Sequence, residues 1–176
     1  MPSDYERIRE ENILEYGQGT RHLALISDRL YPDQTHFVYE LLQNAEDAGA
    51  SKVAFALFED HLDVRHDGRV FDERDVKGIC GIGEGTKEED LTKIGKFGIG
   101  FKSVYSFTAT PAIHSGPEHF EVRHYVRPYS AVVRETGDGC TTLFSFPFDR
   151  DDRPPSETHA AIAARLRALG VYTMIF

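Results

Sequence analysis

Between Gly78 and Gly100 the chain places seven of its fifteen glycines, at positions 78, 81, 83, 85, 95, 98 and 100. The charged residues of "GTKEEDLTK" lie among them. A stretch with so much backbone freedom and so little apolar surface cannot form a core element. It must interrupt whatever packs on either side, which predicts a lid between two structured halves. Its last part, "IGKFGIGFKS", has the spacing G-x-x-G-x-G followed by Lys102 and Ser103. The dinucleotide fingerprint runs in the opposite order, and in a P-loop Phe101 would intrude between Gly100 and the lysine. No apolar strand precedes it either, since "EEDLTK" stands there. The segment is a turn, or a phosphate cradle of another kind.

Before the glycines, a short helix spans Ile8 to Tyr16 and breaks at "YGQG", and Leu23 to Leu30 reads as helical. A clearer helix starts at Asp33 or Thr35 and closes at Gly49. Two strands, "SKVAFALFED" and "HLDVRH", meet at a turn on Glu59 and Asp60. Asp72 caps a helix through about Ile79, with Asp75 as its capping-box partner. After the glycines, Phe101, Val104 and Tyr105 resume a helical spacing. Strands then follow in "HFEVRHYVR", "YSAVVRE" and "TTLFSFPF", with a turn at "GDG". Ser156 to Leu169 reads as an amphipathic helix. This order predicts an α+β, two-layer sandwich, with helices on one face of a mixed, largely antiparallel sheet. The expected organisation is a helical extension over 1–22, one domain over 23–150 with its lid at about 71–98, and a linker and helix over 151–176. The final "VYTMIF" reads as the cut start of a following region.

A net charge of −9 disfavours a direct nucleic-acid face, because phosphate backbones reward Lys and Arg. Cys80 and Cys140 form no C-x-x-C pair, which suits a reducing compartment. With a polar N-terminus and no apolar run of membrane-spanning length, a soluble cytoplasmic protein without a membrane partner is expected.

The helix "THFVYELLQNAEDAGA" carries the most informative chemistry. At about 100° per residue, Glu40, Asn44 and Asp47 fall within about 60° of one another. Phe37, Leu41, Ala45 and Ala48 form the adjoining apolar face, so the polar stripe borders the core. Asn44 offers a neutral oxygen to Mg²⁺, a cation that takes few protein ligands. Glu40 is placed to orient and deprotonate a water for attack on phosphorus. By itself such a stripe also suits a solvated helix face.

The order of Glu40-x-x-x-Asn44, the Asp67-Gly68 turn after a strand, and G-x-x-G-x-G resembles the GHKL superfamily of ATPases, which share the Bergerat fold. "HFVYELLQNAEDAGASKV", "GICGIGEGTK" and "IGKFGIGFKSVYSFTATPAIHSG" are similar to its sacsin and NO VEIN branch. The resemblance covers about Leu23 to Phe148. It implies ATP and Mg²⁺ as cofactors, Glu40 as general base, Asn44 as metal ligand and Asp47 in a supporting role. It implies that Gly95, Lys96, Phe97, Gly98, Ile99, Gly100 and Phe101 wrap the phosphates, with Lys102 either near them or solvated. The superfamily's second motif, D-x-G-x-G, has its first Asp accept from the adenine amine. Here His66 takes that place and Val70 replaces the later glycine, so the base is read by Asp67 with Gly68 after a small backbone shift, by His66 as a neutral acceptor, or by water. A Thr of the last strand motif corresponds to Thr141 or Thr142, and Thr142 is the expected contact. The resemblance implies slow ATP hydrolysis within a larger protein, with C-terminal domains, a protein partner or a nucleotide-dependent dimer completing it. The alternative is a nucleotide-gated interaction module that binds ATP or ADP without significant turnover.

Overall fold

The computed structural model describes residues 1–18, 37–82, 100–137 and 139–169. Helix α1 (Tyr5–Tyr16) starts at Asp4, whose side chain accepts from Arg7 N, and α2 (Phe37–Asp47) follows. Beyond α2 the chain turns at Gly49, whose φ of 70° is a left-handed value that costs glycine little. Strands β1 (Val53–Leu57) and β2 (His61–His66) form the expected hairpin. Helix α3 (Glu73–Cys80) has the full capping box, with Asp72 accepting from the backbone of Arg74 and Asp75, and Asp75 accepting from Asp72 N. Arg69 grips the Asp75 carboxylate with two hydrogen bonds of 2.6 Å. A 3₁₀ helix (Gly100–Ser106) stands where the apolar spacing predicted helix. Strands β3 (Ala112–Ser115), β4 (Glu118–Arg123), β5 (Arg127–Ser130) and β6 (Thr142–Pro147) precede helix α4 (Pro155–Ala168).

The six strands lie in the order β1-β2-β6-β3-β4-β5, and every pairing is antiparallel. Their register aligns Phe55, Val64, Phe144, Ile113 and Phe120 in one row across five strands. That row faces one hydrophobic cluster, to which α1, α2, α3, the 3₁₀ helix and α4 each add side chains such as Ile8, Leu41, Ile79, Phe101 and Ile162. The α+β, two-layer expectation holds at this level. Antiparallel strands with one covered face alternate inward apolar and outward polar residues, as β4 does.

Two strand expectations are corrected. "HFEVRHYVR" is not one strand: it turns at His124 and Tyr125, whose φ values of 52° and 69° are uncommon without glycine. "YSAVVRE" is strand only to Ser130, with Ala131 N making the last bond to β4, at His119 O. Its remainder leaves the sheet, and Arg134 returns to the outer face to bind Asp63 at 2.9 Å and Ser145 at 2.7 Å. Strand β3 had no expectation, being four residues long with two polar members. Among the described residues no helix is long and apolar enough to cross a membrane.

Candidate functional site

One row further along the core face of the sheet, the apolar pattern stops. The register there aligns His66, Thr142, Ser115 and Glu118, all 2% exposed or less. Thr142 and Ser115 share a hydrogen bond of 2.6 Å, and Ser115 Oγ accepts from Phe71 N at 3.0 Å. Glu118 is satisfied by Ser3 and by the Tyr5 hydroxyl at 2.6 Å. A buried polar row beside an apolar one costs free energy unless every member is bonded. Ser115 and Glu118 escape a reading by motif, because only cross-strand pairing brings them beside Thr142.

Helix α2 presents Glu40 and Asn44 one turn apart. Asn44 is buried, and among the described residues its Nδ2 has no hydrogen-bond partner. Buried amides are nearly always bonded, so an unspent one next to a carboxylate marks a place for a ligand. Glu40 is half-buried, and its carboxylate lies against the Cα of Gly100. A Cβ built on Gly100 would stand 1.8 Å from Glu40 Oε2, so only glycine lets the two elements meet. Asp47 is exposed at the far end of the helix.

The turn after β2 docks on the end of α2. Arg69 N donates to Ala48 O at 2.9 Å, and a Cβ on Gly68 would meet that same oxygen at 2.8 Å. Thr141 braces the turn, its N donating to His66 O at 2.9 Å and its hydroxyl to Gly68 O. Of the two threonines, then, Thr141 holds the turn and Thr142 points inward.

Asp67 turns away from this row. Its carboxylate accepts from Ser51 N and Lys52 N at 2.8 Å and from Ser51 Oγ at 2.5 Å. Those bonds, the Ser51 hydroxyl first, hold its pKa down to about 2. His66 is buried instead, and its Nδ1 accepts from Gly68 N at 3.1 Å. That bond places the ring proton on Nε2. Burial lowers the His66 pKa to about 4, outweighing the Asp67 charge. Below its usual 6.5 the unfolded chain takes up a proton that folded His66 refuses, so its stabilisation is complete above that pH and is lost towards pH 4. Between about pH 7 and about pH 5, urea unfolding should show the protein losing on the order of 2 kcal/mol more than a His66→Gln variant.

Phe101 packs in the core, its ring 6.0 Å from Phe144 and 6.3 Å from Phe146. Of the two expectations for Lys102, near the phosphates or solvated, the solvated one is corrected. It is buried, and its Nζ donates to Ile79 O and Tyr125 O, each at 2.5 Å. Gly95, Lys96, Phe97, Gly98 and Ile99, with most of the expected lid, lie outside the described residues.

The sacsin domain family matches residues 20–123, which include α2, the turn after β2 and the glycine motif. The chain belongs to the sacsin-domain family. It is 37% identical to human Sacsin over 122 residues, covering 58% of this chain and 3% of that protein. Protein NO VEIN of Arabidopsis thaliana is 35% identical over 106 residues, covering 57% of this chain and 4% of its own. The chain thus spans only a few hundredths of the length of these relatives.

Proposed function

We propose that this chain binds ATP with Mg²⁺ and hydrolyses it slowly, on a site of the Bergerat type. The observation that carries the reading is the pair on α2. A buried Asn44 with an unspent amide stands one turn from a Glu40 whose carboxylate rests on Gly100. Family membership supports it, since the match covers both of these segments.

In this reading Glu40 accepts the proton of the attacking water, and Asn44 holds the metal through its side-chain oxygen while its unbonded Nδ2, a donor, is left for a phosphate oxygen or a water. Among the described residues no three His, Cys, Asp or Glu side chains converge on a metal position. That fits a Mg²⁺ ion held by one protein oxygen, phosphate oxygens and water, not by a protein cage. When bound, Mg²⁺ would neutralise charge on the β- and γ-phosphates. Backbone N–H groups from Gly95 to Gly100 would receive phosphate oxygens. His66 and Thr142 would lie on the base side. The Asp67 carboxylate is spent on Ser51 and Lys52, and His66, whose Nδ1 already accepts from Gly68 N, would offer the base an Nε2–H donor in place of the superfamily's acceptor. Turnover is slow because Lys102 spends its charge on two carbonyls, so the γ-phosphate needs a cation from a following domain or a partner.

Calorimetric titration with ATP, with and without Mg²⁺, tests the reading. Affinity should fall on the order of tenfold or more without the metal, and Asn44→Ala should abolish most of that difference. Equal affinity in all four titrations would remove Asn44 from the metal site.

A further inference from the structure

Lys102 follows the glycine motif by two residues, yet its ammonium points into the protein, and the residue is only 6% exposed. One acceptor, Ile79 O, lies in the last turn of α3, where helix carbonyls lack intrahelical partners. The other, Tyr125 O, belongs to the β4–β5 turn, in a residue with φ of 69°. The Tyr105 ring lies 5.9 Å from the ammonium. Among the described residues, the titratable groups facing it are Cys80 on α3, Tyr105 on the 3₁₀ helix and Tyr125 in the turn.

A buried ammonium is a costly way to fill space, and an apolar side chain of similar length would fill it with less penalty. What the charge supplies is position. It ties the end of α3 and the β4–β5 turn to the 3₁₀ helix, and that helix begins at Gly100, against Glu40. We propose that Lys102 is a positioning residue for the nucleotide site: in its charged form it staples the 3₁₀ helix to Ile79 and Tyr125 and so holds Gly100 against the Glu40 carboxylate. The inference rests on the nucleotide reading above.

Burial draws the Lys102 pKa down to about 8 from the usual 10.5, with the nearby Cys80 thiol acting weakly the other way. Between those values the unfolded chain holds a proton that the folded chain has lost. Folding stability therefore rises with pH across this window, while the charged staple disappears. Nucleotide affinity and stability should move in opposite directions, whereas a lysine that only supported the fold would move them together.

The experiment is ATP–Mg²⁺ calorimetry and urea unfolding between about pH 7 and about pH 9 for wild type, Lys102→Met and Lys102→Arg. Wild-type affinity should weaken about tenfold across the range, as the charged fraction falls. Its stability should rise relative to Lys102→Met over the same range. Lys102→Met should bind weakly at every pH, and Lys102→Arg should lose the pH dependence because its charge persists. Thiol labelling without nucleotide, in a Cys140→Ser background, reads the staple directly. Lys102→Met should label the buried Cys80 several-fold faster than wild type. Flat wild-type affinity, with Lys102→Met binding equally well, would overturn the inference and leave the nucleotide reading intact. Wild type that binds no ATP at about pH 7 would overturn the nucleotide reading instead, and unchanged Cys80 labelling in Lys102→Met would then overturn the staple as well.

Discussion

Replacing Glu40 by Ala should lower steady-state phosphate release by about 10²- to 10⁴-fold, the usual contribution of a positioned general base. ATP affinity should stay within about threefold, because the phosphate and metal contacts of the reading come from other groups. The expectation starts from the side chain's setting. Glu40 is half-buried on α2, with Asn44 one turn further along and Gly100 against its carboxylate. A carboxylate held at such a border can keep one water in line with the γ-phosphate while remaining open to it. Multiple-turnover phosphate release and calorimetry on the same preparations separate chemistry from binding. Undiminished turnover in Glu40→Ala would show that another group takes the proton. Tight ATP binding by wild type without turnover would favour a nucleotide-gated interaction module.

A single methyl group at position 100 should have a large effect on turnover and a small one on folding. The Cβ of Gly100→Ala would stand 1.8 Å from Glu40 Oε2 and 2.6 Å from its Cδ, closer than any packed contact permits. The atoms it meets are the far end of a flexible side chain, so Glu40 rotates away and the backbone stays. A displacement of about 1 Å in a catalytic group costs on the order of 10²-fold in rate. Thermal unfolding should change by only a few degrees, since turning a half-buried carboxylate outward costs about 1 kcal/mol or less. The double variant Glu40→Ala/Gly100→Ala should turn over no more slowly than Glu40→Ala alone, because the methyl then has nothing to displace. An additive loss in the double variant would mean that Gly100 acts through its own backbone and not through Glu40.

Much of the local structure was legible from the order of residues. The Asp72 and Asp75 capping box, the end of α2 at Gly49 and the β1–β2 hairpin all depend on groups a few positions apart, and each appears where its signal lies. The Glu40-Asn44 stripe was readable for the same reason, since helical periodicity alone puts both on one face. The α+β layering followed from the sequence of elements. Only the tertiary structure decided the rest. β3 is too short and polar to announce itself, and it exists because β6 and β4 pair on either side of it. Thr142 points inward because its register with His66 and Ser115 selects that face, and a shift of one residue would have chosen Thr141. Asp67 turns away from the buried row because Ser51 and Lys52, distant in sequence, offer it three donors. Lys102 reads from the sequence as either near the phosphates or solvated, yet it lies inside because two carbonyls, each 23 positions away, accept its protons. Patterns along a chain record interactions between near neighbours. Desolvation and cross-strand pairing join residues that only folding brings together, and those forces set the direction of each side chain in this site.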